Sequence, residues 1–297
     1  MLRFLTLFFA FACGAIMMAL IGPNDRSEAP TEPVSLILSQ EEGEVAEDTR
    51  REQEVEFYQS EKSQTKARIA IVIDDLGDNI RTEDVIALNM PLTMAFLPDD
   101  KASPRLSVRA AEKGHDVLVH MPMQSKGYEN REQTLLKKDM SEAEIKELLR
   151  YAFARVPAAK GLNNHTGSAF TEYREGMRVV LDYARENSYL YLDSKTTAAS
   201  VAQSVSDALE YPILTRHVFL DHFEEIEMVE KALVKTQEIA EMHGVAIAIG
   251  HPKPNTLQAL KSWAQGLDNT KFELVGIYEL KPHIAASPMA KLSTDLN

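Results

Sequence analysis

From Arg68 onward the chain alternates two kinds of apolar pattern. The first is short and continuous, and Ile69-Ala70-Ile71-Val72-Ile73 is its clearest case. A run of that length without polar alternation predicts a strand buried on both faces, as in a parallel sheet. Comparable runs place further strands at 92–97, 116–119, 161–164, 190–192, 217–220, 245–249 and 274–277. The second pattern has helical spacing and falls between the strands, at 141–155, 171–187 and 225–243. Ser141 with Glu144 makes a capping box, Thr171 offers a hydroxyl cap, and Ile145, Leu148, Leu149 and Ala152 form one core-facing stripe. Repeated β-then-α units predict an α/β fold with a parallel sheet and right-handed crossovers. Seven or eight units over about 215 residues suit a closed (β/α) barrel better than an open sheet.

The chain ahead of Arg68 has a different character. Arg3 precedes an apolar stretch at 4–22, close to the ~20 residues that span a bilayer. Pro23, Asn24, Asp25 and Arg26 follow it, so a cleaved secretory signal and an uncleaved membrane anchor both fit. An acidic, proline-punctuated stretch then runs to residue 67 and has too few apolar residues for a core. The expected organisation is a leader at 1–23, a disordered linker at 24–67, one domain at 68–281 and a tail at 282–297. Cys13 is the single cysteine and lies in the leader, so the exported part has neither disulfides nor a thiolate metal site. Export to the periplasm is therefore expected. The net charge of −13 argues against a nucleic-acid partner. Much of it sits in the linker, and it says little about the substrate.

Polar residues then arrive as strands finish. Asp74 and Asp75 end the first, His120 follows 116–119, His165 follows 161–164, and Asp193 follows 190–192. Asp221 follows 217–220, and His251 follows 245–249. In a barrel these ends converge on the face that carries the chemistry. Two adjacent buried carboxylates are costly unless a cation or a proton compensates them. Each residue has a plainer alternative. Asp75 could cap a helix, His120 and His165 could be satisfied core histidines, and Asp193 and Asp221 could hold turns. Read together, a carboxylate with two histidines binds Zn²⁺ or a similar divalent cation, and a second carboxylate beside it can accept a proton. That combination points to metal-assisted hydrolysis of an acyl bond.

The same residues carry a resemblance. Ile73-Asp74-Asp75-Leu76-Gly77, Ala95-Phe96-Leu97-Pro98, 114–123, 161–168, 193–196, Arg216 with Phe219-Leu220-Asp221, and 247–252 together resemble the divergent polysaccharide deacetylases. The resemblance covers roughly 68–280 and implies a distorted (β/α) barrel with one divalent metal, zinc first among the candidates. It implies Asp74 as base, Asp75 and His120 as metal ligands, and His251 as general acid. Gln124 stands four residues after His120, where better-known members carry a second histidine, and His165 is the candidate replacement. Asn163, Asn164 and Ser168 are expected to meet sugar or acetate, with Asp193, Arg216 and Asp221 in supporting positions. The implied activity is de-N-acetylation of an exported or cell-envelope carbohydrate, with cation-activated water attacking the acetamide. A glycan-binding protein without turnover, and a metal hydrolase of another acyl or ester substrate, are the competing classes.

Overall fold

The first apolar run forms a ten-residue strand, β1 (Ala67–Leu76), in the computed structural model, which describes residues 65–127 and 132–281. The expected leader, the acidic linker up to residue 64 and the tail from 282 lie outside the described residues. Ile69 to Ile73 are fully buried, and the strand's period of two shows why no polar alternation was tolerated. Ala70 and Val72 face one core with Ala95, Leu118, Leu192, Leu214, Ile247 and Ile249. Ile69, Ile71 and Ile73 face a second core that includes Leu149, Val180, Leu233 and Leu260 from the surrounding helices.

Eight more strands follow: β2 (Thr93–Phe96), β3 (Asp116–Met123), β4 (Gly161–Thr166), β5 (Leu190–Asp193), β6 (Leu214–Thr215), β7 (Val218–Phe219), β8 (Val245–Gly250) and β9 (Phe272–Leu274). Between them run α1 (Thr82–Ile86), α2 (Ser103–Glu112), α3 (Glu142–Arg155), α4 (Arg174–Glu186), α5 (Ala202–Ala208), α6 (Ile226–His243) and α7 (Pro254–Gly266). The strand order is β6-β5-β4-β3-β2-β1-β8-β7, and β9 adds to the start of β1 beside the place where β2 begins. Every pairing among these strands is parallel. The result is a curled, distorted (β/α) barrel, as expected, but the ring does not close. No ladder among the described residues joins β6 to β7. Only Arg216 and His217 separate those strands, and parallel neighbours need a crossover of about a dozen residues or more.

Local signals are borne out in part. Ser141 caps α3 with the reciprocal Glu144 contact. Thr171 does not cap α4; its hydroxyl donates to Gly167 O at 2.8 Å within the turn that precedes the helix. The stretch 274–277 leaves the sheet after Leu274 and forms a short 3-10 turn, Ile277–Leu280. Val275, Ile277 and Leu280 enter the inner core. Ile277 N donates to Thr93 Oγ1 at 3.0 Å and Tyr278 N to Asp116 Oδ2 at 2.9 Å. These contacts close the barrel at the N-terminal ends of its strands and leave the other end for polar residues.

Candidate metal centre

The inner face of the barrel is continued toward its open end by polar side chains of the same parity. Asp74 extends Ala70 and Val72, His120 extends Leu118, His251 extends Ile247 and Ile249, and Asn163 and His165 lie in register on β4. Asp75 breaks the alternation, which would have turned it outward. Ile73 pairs with Met94 and Leu76 with Phe96, so β1 carries one extra residue there, a bulge. Asp75 itself sits at φ 56°, a left-handed conformation that aspartate tolerates better than most residues. The bulge brings both carboxylates to one place.

Three donor atoms meet there. Asp75 Oδ1 lies 3.2 Å from His120 Nε2 and 3.0 Å from His165 Nδ1, and the two nitrogens are 3.0 Å apart. Asp75 Oδ1 is buried without a well-formed hydrogen bond. The tautomer of His120 follows from its neighbour. Asn163 Nδ2 donates to Asp74 Oδ1 at 2.9 Å and to Ser194 Oγ at 3.1 Å. Asn163 Oδ1 therefore faces His120 Nδ1, at 2.9 Å, and that nitrogen is the donor. Nε2 is the nitrogen left to face the cluster. Three donors about 3 Å apart match neighbouring positions around a divalent cation held by bonds of ~2.0–2.1 Å. The residues present fit such an ion, with Asp75, His120 and His165 as its holders.

The electrostatics agree. Burial alone would lower the His120 pKa, but the charges of Asp74 and Asp75 outweigh it and push it up to about 9. Asp75 is desolvated, which would raise its pKa, yet its contacts with His120 and His165 hold it well below the usual carboxylate range. Both shifts express one demand, for positive charge between these groups. Burial raises Asp74, with His120, His251 and Asn163 pulling the other way. His251 is held by Asp221, whose Oδ1 lies 2.9 Å from Nδ1 while Oδ2 accepts from His251 N at 2.7 Å and Thr256 Oγ1 at 2.8 Å. Desolvation would lower the His251 pKa, but Asp221 and the two cluster aspartates raise it. His251 Nε2 is 3.7 Å from Asp75 Oδ2, beside an open cleft lined by Asp75, Asn79, His251, Pro252 and Lys253.

Other expected site residues are placed in support of the strand ends. Asn163 is fully buried and faces Asp74 and His120, not the cleft. Asn164 Oδ1 accepts from Ser194 N at 2.9 Å, and Ser168 Oγ accepts from Lys126 N at 2.9 Å. Both Asp193 oxygens are engaged by its own loop, accepting from Lys195 N and Ser200 Oγ at 2.8 Å each. Arg216 donates to Ser194 O at 2.7 Å and Lys195 O at 3.0 Å, stacked over Phe219. Gln124 Oε1 accepts from Lys138 N at 3.0 Å, so it anchors the loop after β3. Ser194 and Glu132, whose Oε1 lies 3.3 Å from His165 Nε2, were not foreseen as neighbours of the cluster. Arg131-Glu132-Gln133 has the composition of a solvated loop, and no local pattern marks it.

A parallel barrel closed at one end, with an Asp/His/His donor set at the other, has the architecture of the polysaccharide deacetylases. The chain belongs to that family in its divergent form, since residues 71–281 match the family described as Divergent polysaccharide deacetylase. It is 32% identical to the uncharacterized protein YibQ of Escherichia coli over 201 residues, 67% of this chain and 63% of the length of YibQ. An uncharacterized protein of Haemophilus influenzae is 34% identical over 217 residues, 72% of this chain and 77% of that protein. The crystal structure of the uncharacterized protein ATU2773 from Agrobacterium tumefaciens superposes with a TM-score of 0.69. It is 21% identical and covers 73% of this chain and 89% of that one, which establishes a shared fold.

Proposed function

We propose that the domain is a divalent-metal-dependent deacetylase acting on N-acetyl groups of an exported or cell-envelope carbohydrate. One observation carries the reading: Asp75, His120 and His165 converge beside a second buried carboxylate, Asp74, and a carboxylate-held imidazole, His251. When bound, a divalent cation supplies Lewis acidity toward an acyl oxygen and lowers the pKa of water. Zinc suits a set of two imidazoles and one carboxylate. Asp74 Oδ1 is engaged by Asn163, while Oδ2 lies 3.7 Å from His120 Nε2 and is the oxygen free to take a proton from attacking water. Its raised pKa suits that task better than an ordinary aspartate would. His251, kept by Asp221 with Nε2 toward the cleft, would give a proton to the departing amine. Arg216 and Asn163 act by fixing the surrounding strand ends. The leader at 1–23 would deliver the domain to the periplasm, cleaved or as an inner-membrane anchor, through the acidic linker that precedes β1.

Metal analysis of the purified protein, followed by acetate release from a panel of N-acetylated glycans, tests the reading. Bound zinc with acetate release supports it; absence of any tightly bound divalent metal overturns it. Metal without release across the panel would favour a glycan-binding role. Asp75→Ala is expected to abolish metal uptake. Asp74→Asn is expected to keep the metal and stop turnover, and an unchanged rate would remove Asp74 as the base.

A further inference from the structure

His120 has its tautomer set by Asn163; His165 needs an equivalent partner. To offer Nδ1 to a cation, its ring must carry the proton on Nε2, and a ligating imidazole commonly gives that proton to a carboxylate or carbonyl behind it. Glu132 faces that nitrogen. Its Oε1 lies 3.3 Å from His165 Nε2, and its Oε2 is buried with no hydrogen-bond partner among the described residues.

The chain delivers Glu132 to this place by three anchors. Asp99, just beyond β2, accepts from Gln133 N at 2.7 Å and Thr134 N at 3.2 Å through the same Oδ2. Leu136 makes a parallel bridge to Met123 at the end of β3. Gln124 Oε1 then accepts from Lys138 N. A charged side chain is thus held against a half-buried histidine by a segment whose own backbone is fixed, which is the usual requirement for orienting a ligand.

We propose that Glu132 is a positioning residue of the metal centre. Its carboxylate accepts the Nε2 proton of His165, fixes the tautomer that presents Nδ1, and couples the 132–138 segment to metal affinity. The proposal rests on reading Asp75, His120 and His165 as that centre.

The test compares zinc affinity of the full chain with Glu132→Met and Glu132→Gln, by competition with a chromophoric chelator. Long-range ¹⁵N–¹H NMR of the metal-free proteins reads the His165 tautomer, with His165→Gln assigning the resonance. Glu132→Met, of similar length but with no acceptor, is expected to lose roughly 10- to 100-fold in zinc affinity. Its His165 ring should no longer hold a single Nε2–H tautomer. Glu132→Gln retains an acceptor oxygen and is expected to keep the tautomer and affinity within about fivefold of the parent. Melting temperatures of the metal-free proteins confirm folding, and Glu132→Ala replaces the methionine variant if that one melts early. Parent-like zinc affinity in Glu132→Met overturns the role of Glu132, as does a loss in Glu132→Gln as deep as in Glu132→Met. A parent chain that takes up no zinc overturns the centre itself, so the two failures are distinct.

Discussion

Asn163 is uncharged, yet it settles which nitrogen of His120 carries a proton and which oxygen of Asp74 is left free. Replacing it with alanine would strand a buried imidazole N–H and a buried carboxylate oxygen, each without water to turn to. Asn163→Ala is therefore expected to lower the unfolding free energy by about 2–4 kcal/mol in urea titrations. It should also weaken zinc binding by roughly tenfold or more, because the acceptor that orients His120 through Nδ1 is gone. An unfolding midpoint equal to that of the parent would show that these groups find other partners. Asp74, His120, His165 and His251 were legible from the chain because a period of two carries the inner face of each strand into the site. Asp75 was named with them as a strand-end carboxylate, but the way it reaches the cluster depends on an extra residue in β1 and a left-handed backbone that no apolar pattern encodes. Glu132 was hidden for a different reason: a loop residue is placed by tertiary anchors, not by periodicity.

At the scale of elements, the turn after β1 and the seam between β6 and β7 each depend on one residue. Gly77 sits at φ 144°, and a Cβ there would come within 2.4 Å of Asp100 Oδ2. That oxygen cannot move freely, because it accepts from Asp78 N at 2.7 Å. Gly77→Ala is expected to cost about 3 kcal/mol in stability, read by urea unfolding, by forcing strain into the turn beside Asp75. A cost below about 0.5 kcal/mol would mean that the turn relaxes. At the seam, His217 N donates to Ile247 O at 2.8 Å and its Nδ1 accepts from Ile247 N at 2.9 Å. The side chain thus satisfies the β8 backbone just ahead of the two-residue β7, on the strand that flanks the seam. Burial lowers the His217 pKa, and the positive charges of His243, Arg216 and Lys195 lower it further. The neutral ring is the one the fold wants, so its contribution is complete above the ordinary value of about 6.5 and is lost as pH falls through the lower folded value. The parent should lose thermal stability between pH 7.5 and 5 more steeply than His217→Gln, which keeps an acceptor and does not titrate. Parallel curves would remove His217 as the cause. The strands and helices around these points were readable because each has a strong period. The seam was not, because two-residue strands leave no period to detect.

At the largest scale, the described domain is polarised along the barrel axis. One end is filled by Val275, Ile277 and Leu280, and the other holds the donor cluster, so stability and chemistry are assigned to opposite ends of the same strands. A barrel of this kind can vary its open end without rebuilding its core. The apolar fill also explains why the chain continues past β9: β2 and β3 begin with polar side chains, Thr93 and Asp116, that Ile277 N, Tyr278 N and Gly276 approach closely. Ile277 is fully buried, and Ile277→Ala should cost about 2–5 kcal/mol through lost burial and a cavity. Because the two ends share no side-chain partner among the described residues, the zinc affinity of the folded Ile277→Ala chain should stay within about twofold of the parent. Combining it with Asp75→Ala extends the argument. The stability changes of the two variants, measured without metal, should add within about 0.5 kcal/mol. A larger coupling would mean that the inner core transmits packing changes from the plug to the site, and that the two ends are not independent.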